Sequence, residues 1–164
     1  MIFVTVGTHE QQFNRLIKEI DRLVKTNVIQ EEVIIQTGFS TYEPVHCKWH
    51  KLFSYQEMIE NVADARIVVT HGGPSSFIMP LQIGKIPLVV PRKKQYDEHV
   101  NDHQVEFSQA VAERYGNIIV VENVSELGKV LVDYENIIKS MSSSMKSNNA
   151  VFNQKLEDVV QELF

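Results

Sequence analysis

The 164 residues suffice for one domain and are too few for two full-sized ones; a chain of this size buries roughly two thirds of its unfolded surface and needs no staples. Hydrophobic residues at 43% and charged residues at 23% lie in the ordinary globular range and exclude disordered or collagen-like classes. The 16 Lys and Arg against 21 Asp and Glu leave a formal charge of −5, which argues against a nucleic-acid binder, and the single cysteine, Cys47, rules out an internal disulfide and fits a reducing compartment.

The chain begins with Ile2-Phe3-Val4-Thr5-Val6, a β-branched run closed by Gly7, the pattern of a strand buried on both faces. No basic segment precedes it, as one would in a signal peptide, and no run approaches the roughly 20 apolar residues of a membrane span. The expectation is a soluble, cytoplasmic chain, or one that takes its membrane attachment from something else. Phe13, Leu16, Ile17, Ile20, Leu23 and Val24 then recur at helical spacing. Val33 to Thr37 reads as a second strand ended by Gly38, and His46 to Phe53 as a third. Ser54 and Glu57 have the spacing of a helix capping box, with Met58, Ile59 and Val62 on the apolar side.

Ala65 to Thr70 is the next buried strand, running into His71-Gly72-Gly73-Pro74-Ser75-Ser76. A short helix from Ser75 to Ile83 follows, with Gly84 at a left-handed stop; Pro80 inside it predicts a kink or a division. Pro87 to Pro91 reads as the fifth strand, Glu98 to Arg114 as a helix, Asn117 to Val121 as the sixth strand and Ser125 to Ile138 as a helix. Residues 140–149 have the serine-rich composition of a hinge, and residues 150–164 form an amphipathic helix carrying Phe152, Leu156, Val159, Val160 and Leu163 on one face. Strands alternating with helices imply an α/β fold: a Rossmann-like open parallel sheet of about six strands with helices on both faces, over residues 1–139.

Ligands of such sheets bind beyond the carboxyl ends of the strands. Three loops of unusual composition gather there: Gly7-Thr8-His9-Glu10, His71 to Ser76, and Arg92 to Gln104. In the second, glycines permit close backbone approach, serine hydroxyls and first-turn N–H groups point outward, and His71 adds a donor for a phosphate oxygen. The combination suits a diphosphate such as that of a nucleotide-sugar. The plainer alternative is a tight turn with Ser75 capping the helix. Esterase chemistry lacks its G-x-S-x-G turn, and neither the Walker phosphate loop nor the dinucleotide G-x-G-x-x-G is present.

His71-Gly72-Gly73-Pro74-Ser75-Ser76, then Gly84-x-x-Pro87, Pro91 and Asp97-Glu98-x-x-Asn101, resembles the donor-binding half of GT-B glycosyltransferases and the glycosyltransferase family 28 C-terminal domain. Phe3-Val4-Thr5-Val6-Gly7-Thr8 and Asn101-Asp102-His103-Gln104 narrow the likeness to small catalytic subunits of two-part transferases. These include the subunit that makes the second N-acetylglucosamine linkage on dolichol diphosphate and, closer, the bacterial capsule and exopolysaccharide group. The resemblance implies that Gly7 and Thr8 lie beside the diphosphate, that His71, Gly72, Gly73, Ser75 and Ser76 hold it, and that Asp97, Glu98, Asn101, His103 and Gln104 line the sugar. Met79 stands where the family carries a ribose-binding glutamate, and Glu98 where it carries glutamine.

It further implies an inverting, metal-independent hexosyl transfer with a UDP-sugar as substrate and no cofactor. The acceptor would be a lipid-diphosphate-linked saccharide, carried by a membrane-anchored Rossmann-like partner that recruits the chain to the cytoplasmic face of the plasma membrane. His9 and Glu10 are candidate bases by location, as is a residue of the partner. Two readings from other classes stand beside it: a non-catalytic nucleotide-sugar-binding regulatory module, and a self-sufficient small-molecule enzyme of the same fold.

The remaining signals are plainer. His46-Cys47-x-x-His50 has too few ligands for a zinc pattern, although on a strand both histidines would share a face. His99 and His103 would share a helix face near Asp102. Arg92-Lys93-Lys94 reads as an exposed loop, with attraction of diphosphate or anionic lipid as the alternative. The final helix packs on its own sheet or on a partner, and Trp49 and Tyr55 serve a partner surface or simple packing.

Overall fold

The central strands are short and largely apolar on both sides because helices cover both faces of the sheet, while one edge strand is polar and partly exposed. The computed structural model describes residues 1–141 and 154–155. It places β1 at Ile2–Thr5, α1 at Asn14–Lys25, β2 at Val33–Gln36, β3 at Lys48–His50, α2 at Tyr55–Asp64 and β4 at Ile67–His71. Then come α3 at Pro74–Gln82, β5 at Leu88–Val90, α4 at His103–Tyr115, β6 at Ile119–Val120, α5 at Leu127–Val132 and α6 at Tyr134–Ser140. The strands form one parallel sheet in the order β3-β2-β1-β4-β5-β6. The Rossmann-like reading of the sequence is thereby met.

Alternation along the strands divides the core. Ile2, Val4, Val33, Ile35, Ile67, Val69, Leu88 and Val90 pack with Leu16, Ile17 and Ile20 of α1 and Leu131 of α5. Phe3 and Val68 point the other way, onto Val62 of α2, and Val89 meets Phe77 and Leu81 of α3 and Val111 of α4. The chain walks outward from β1 to β3 and then returns to β1's other side with β4. Loops leaving β1 and β4 therefore diverge and open a crevice at the carboxyl edge.

A buried carboxylate fixes the long β2–β3 connection. Asp21 of α1 accepts hydrogen bonds from Tyr42 Oη at 2.6 Å, His46 N at 2.7 Å and Val45 N at 3.1 Å. Burial opposes its charge, but these donors outweigh burial and hold the carboxyl below its ordinary range. Burial and the neighbouring Asp21 push the Cys47 thiol up to about 12, so it is a packed, unreactive group.

Several element boundaries differ from the sequence reading. The third strand is cut to Lys48–His50, so His46 lies before it with its backbone bonded to Asp21, and the shared-face pair with His50 does not form. Pro80 does not divide α3. It falls in the last turn, where the helix is about to end, and Gly84 takes the expected left-handed conformation at φ 78°. The helix foreseen from Glu98 starts only at His103. Lys94–Tyr96 is instead a 3-10 turn stopped by left-handed Asp97 at φ 57°. The helix from Ser125 is broken into a 3-10 turn, α5 and α6, with Asp133 between the two helices. Apart from Ser140 and Met141 at its start and Gln154 and Lys155, the serine-rich hinge and the terminal amphipathic helix lie outside the described residues.

The capping box forms as written: Ser54 Oγ accepts from Glu57 N at 3.2 Å and Glu57 Oε2 accepts from Ser54 N at 2.8 Å. Ser54→Ala will lower stability by about 1 kcal/mol, read by urea unfolding, without changing the slope of the transition.

Candidate functional site

A cleft of about 490 Å³ opens over the carboxyl ends of β1 and β4, where the strand order reverses. Its centre is His71, the last residue of β4, only 7% exposed. Gly7 leaves β1 with a left-handed φ of 76°, and a Cβ on either Gly7 or Gly73 would collide with the His71 ring. Two backbone segments thus close on the imidazole, an approach open only to glycine.

The hydrogen bonds fix the ring's tautomer. Nδ1 has two neighbours, Gly73 N–H at 3.1 Å and Gln104 Oε1 at 3.4 Å; the shorter bond, donated by Gly73, assigns the lone pair to Nδ1 and the hydrogen to Nε2. Nε2 lies 2.6 Å from Ser76 Oγ, whose own proton is left for another acceptor. Burial, and then the cation of Arg92, drive the His71 pKa down to about 3, and the ring is neutral under all ordinary conditions. His71 thus reaches a ligand through Ser76 rather than with its own N–H. Gln104 of α4 braces the arrangement, its Oε1 accepting from the backbone N–H groups of Gly72 and Arg92, both at 3.1 Å. Because that oxygen takes two backbone donors, the amide N–H₂ is the free end of the side chain.

Of the basic run, Lys94 is exposed as expected and Lys93 is half-buried, but Arg92 fits neither reading. It is wholly buried, donating from Nη1 to the carbonyls of Gln11 at 2.8 Å, Gln12 at 3.2 Å and Glu98 at 3.0 Å, and from Nη2 to Val6 at 2.7 Å. Burial lowers its pKa to about 10 against the pull of Glu98. The loops after β1 and β5 are held together by this one side chain. Phe13 lies beneath it, 5.1 Å from the guanidinium carbon, with Arg15 5.4 Å from the same ring.

Gly7, Thr8, His9, His71, Ser75, Ser76 and Gln104 line the cleft, with Gly72 and Gly73 packed against His71 and Gln104. The structure does not bring the rest to its wall. Glu10 is exposed outside it. Glu98 is fully buried with its carboxylate spent on a two-pronged pair with Arg15, at 2.9 and 3.0 Å, and on Lys93 N at 3.0 Å. Asp97 sits exposed at the left-handed turn, Asn101 Oδ1 caps His103 N at 3.0 Å, and His103 is exposed at the start of α4. His99 shares no helix face with His103; its ring stacks on His9, centroids 4.7 Å apart.

Some wall residues escaped the motif reading. Gln36, at the end of β2, donates to Thr5 Oγ1 at 3.0 Å and accepts from Phe53 N at 3.0 Å. Met58 and Val62 of α2 and Met79 of α3 form an apolar side, with Tyr55, 74% exposed, at the rim. The signal for the polar pair was present: Thr5 and Gln36 are the polar last residues of otherwise apolar strands. Among the described residues no three His, Cys, Asp or Glu side chains gather as metal ligands.

The sequence profile of the glycosyltransferase family 28 C-terminal domain matches residues 1–163. The chain belongs to that family. No curated protein matches it. Two solved structures share its fold: the glycotransferase of kitacinnamycin, 15% identical with a TM-score of 0.59 over 96% of this chain, and the glycosyltransferase SnogD from Streptomyces nogalater, 16% identical with a TM-score of 0.58 over 95%. The chain spans 39% of the length of each.

In this family 28 domain the cleft wall carries no Lys or Arg side chain among the described residues. What it offers an anion is the Ser75 and Ser76 hydroxyls, the Gln104 amide, Thr8 and the first turn of α3, where Pro74 occupies the position whose missing N–H costs nothing.

Two measurements test this geometry. A His whose pKa is depressed in the folded state favours unfolding in acid. Stability is complete above about pH 6.5 and falls as pH drops toward 3, because the unfolded chain binds the proton that the folded one refuses. His71→Gln will flatten that slope by about one proton, seen in urea midpoints between pH 6.5 and 4. Gly7→Ala, strained at its positive φ and driven into the His71 ring, will cost more stability than an ordinary surface change, at least about 1 kcal/mol by the same unfolding assay.

Proposed function

We propose that this chain is the donor-binding, catalytic part of an inverting glycosyltransferase. It takes a UDP-sugar and delivers a galactosyl- or N-acetylglucosaminyl-type hexose to a lipid-diphosphate-linked saccharide, in capsule or exopolysaccharide synthesis. A membrane-anchored Rossmann-like partner holds that acceptor and brings the chain to the cytoplasmic face of the membrane. The observation that carries the reading is the pinned, neutral His71 feeding Ser76 at the start of α3, in a cleft at the strand-order reversal of a family 28 domain.

Transfer breaks the bond between the sugar's anomeric carbon and the diphosphate oxygen while the acceptor oxygen attacks from the opposite face. Negative charge grows on the leaving diphosphate. Donors already fixed in place stabilise that charge without reorganising, the largest single contribution available to such a reaction. Ser76 serves this role well, because His71 Nε2–H holds its oxygen and leaves its proton to the phosphate. The attacking hydroxyl must lose a proton as the bond forms. His9 lies on the cleft wall and Glu10 does not, so His9 is the base assigned here.

Calorimetric titration with UDP tests the donor half. The chain will bind UDP, and Ser76→Ala will weaken binding about tenfold, the worth of one hydrogen bond to a charged group. Affinity will change little between low and high salt, since no cationic side chain among the described residues lines the wall. Co-expression with the partner and transfer from UDP-sugar to a synthetic lipid acceptor tests the rest. UDP binding without transfer in any pairing would favour a regulatory module, and turnover of donor by the chain alone, beyond slow hydrolysis, would favour a self-sufficient enzyme.

A further inference from the structure

His9 and His99 come from different loops, one after β1 and the other after β5, and their rings lie nearly parallel, 11° apart with centroids at 4.7 Å. That is an offset stack between two loops that are also tied by Arg92 and by the contacts of Gln12 with the carbonyls of Tyr96 and Asp97. His9 is also held in the ring plane. Its Nε2 lies 2.8 Å from Gln11 Oε1, and Gln11 is itself pinned through its carbonyl to buried Arg92. With the amide oxygen as acceptor, Nε2 bears the hydrogen and Nδ1 is the bare nitrogen.

We propose that His99 is a positioning residue for the transfer. Stacked on His9, it holds that ring at the cleft with Nε2–H spent on Gln11 and Nδ1 left to take the acceptor's proton. The assignment rests on the donor-cleft reading above. In the step it serves, the acceptor O–H proton passes to His9 Nδ1, the acceptor oxygen bonds to the anomeric carbon, and the bond to the diphosphate breaks with its electrons. His9 leaves as an imidazolium and returns its proton to solvent.

Neutrality of the supporting ring belongs to this design. Burial lowers the pKa of His99, and His9, Arg92 and His103, the basic groups facing it, lower it further against an opposing hydrogen bond from the ring to the Asn101 side chain. The lowered pKa favours the uncharged ring, which stacks on a second imidazole without repelling it. The ring is oriented by Asn101 N, which donates to His99 Nδ1 at 3.4 Å.

Nitrogen–proton correlation spectra of the histidine-labelled full chain read the tautomer directly and need no activity. The expected pattern for His9 is a protonated Nε2 and a bare Nδ1. His99→Ala will blur it into exchange between tautomers, and His99→Phe, which keeps a flat ring in the stack, will retain it. In the co-expressed complex, His99→Ala will lower kcat about tenfold with the donor KM within about twofold, and His99→Phe will recover most of that loss. An active complex whose His9 carries its proton on Nδ1 overturns this assignment alone. So does an unchanged kcat in His99→Ala, or a His99→Phe variant as slow as His99→Ala while still binding UDP. A wild-type complex that transfers nothing sinks the donor-cleft reading and this assignment with it.

Discussion

Arg92 is the constraint on which the carboxyl edge of the sheet depends. A guanidinium wholly out of water has no acid pressed against it, since the nearest, Glu98, spends its carboxylate on Arg15. Its charge is dispersed instead over four carbonyl oxygens, those of Val6, Gln11, Gln12 and Glu98. Arg can do this and Lys cannot, because a planar fork reaches several acceptors at once and is less strongly hydrated. Three of the carbonyls belong to the segment after β1 and the fourth to the loop after β5, so one side chain ties those two segments together. Removing it would leave four buried acceptors unpaired, a cost larger than that of most single substitutions.

The same cation shapes the chemistry next door. With Arg92 buried close by, a protonated His71 would face a like charge in a medium too dry to screen it, on top of its own loss of water. The ring is therefore a neutral relay whose two nitrogens have opposite and fixed duties: Nδ1 receives Gly73 N–H and Nε2–H is given to Ser76. The glycines at 7 and 73 are required by this ring as much as by their own backbone angles, since any side chain at either place would fill the space that His71 occupies. The groups that the described cleft wall presents are thus dipoles, with the cation of Arg92 buried behind them.

Much of the fold could be read from the chain because apolar periodicity reports burial directly. The six strands, the capping box and the left-handed stop at Gly84 all arise from local patterns, and all are present. The glycine- and serine-rich loop after β4 was equally legible, since composition at a strand end marks the ligand edge of a parallel sheet. What failed depended on distant partners. Glu98 looked available for sugar hydroxyls, yet Arg15, far away in sequence, claims it. Arg92-Lys93-Lys94 looked like one solvated basic run, yet the backbone enters the core at its first residue. His99 looked helical until the left-handed Asp97 delayed α4 to His103. No local pattern records a salt bridge across 83 positions or a stack between two loops.

The distribution of polar groups around the cleft narrows what it can hold. Hydrogen-bond donors concentrate on the α3 and α4 side, at Ser75, Ser76 and Gln104, while the α2 side presents Met58 and Val62. A ligand that satisfies both must be strongly polar at one end and flat or apolar at the other. A free inorganic anion would waste the α2 surface, and a purely apolar molecule would cover the Ser75, Ser76 and Gln104 donors without pairing them, at a cost in desolvation. The nucleoside diphosphate of the proposed function would meet both demands, with phosphates toward Ser76 and base or ribose toward α2. Met79 contributes a flexible, polarisable surface on that second side, able to pack against a ring but unable to accept a hydrogen bond from a ribose diol with any strength. Recognition of such a ligand would therefore rest on its diphosphate and on the flat face of its base far more than on its sugar hydroxyls.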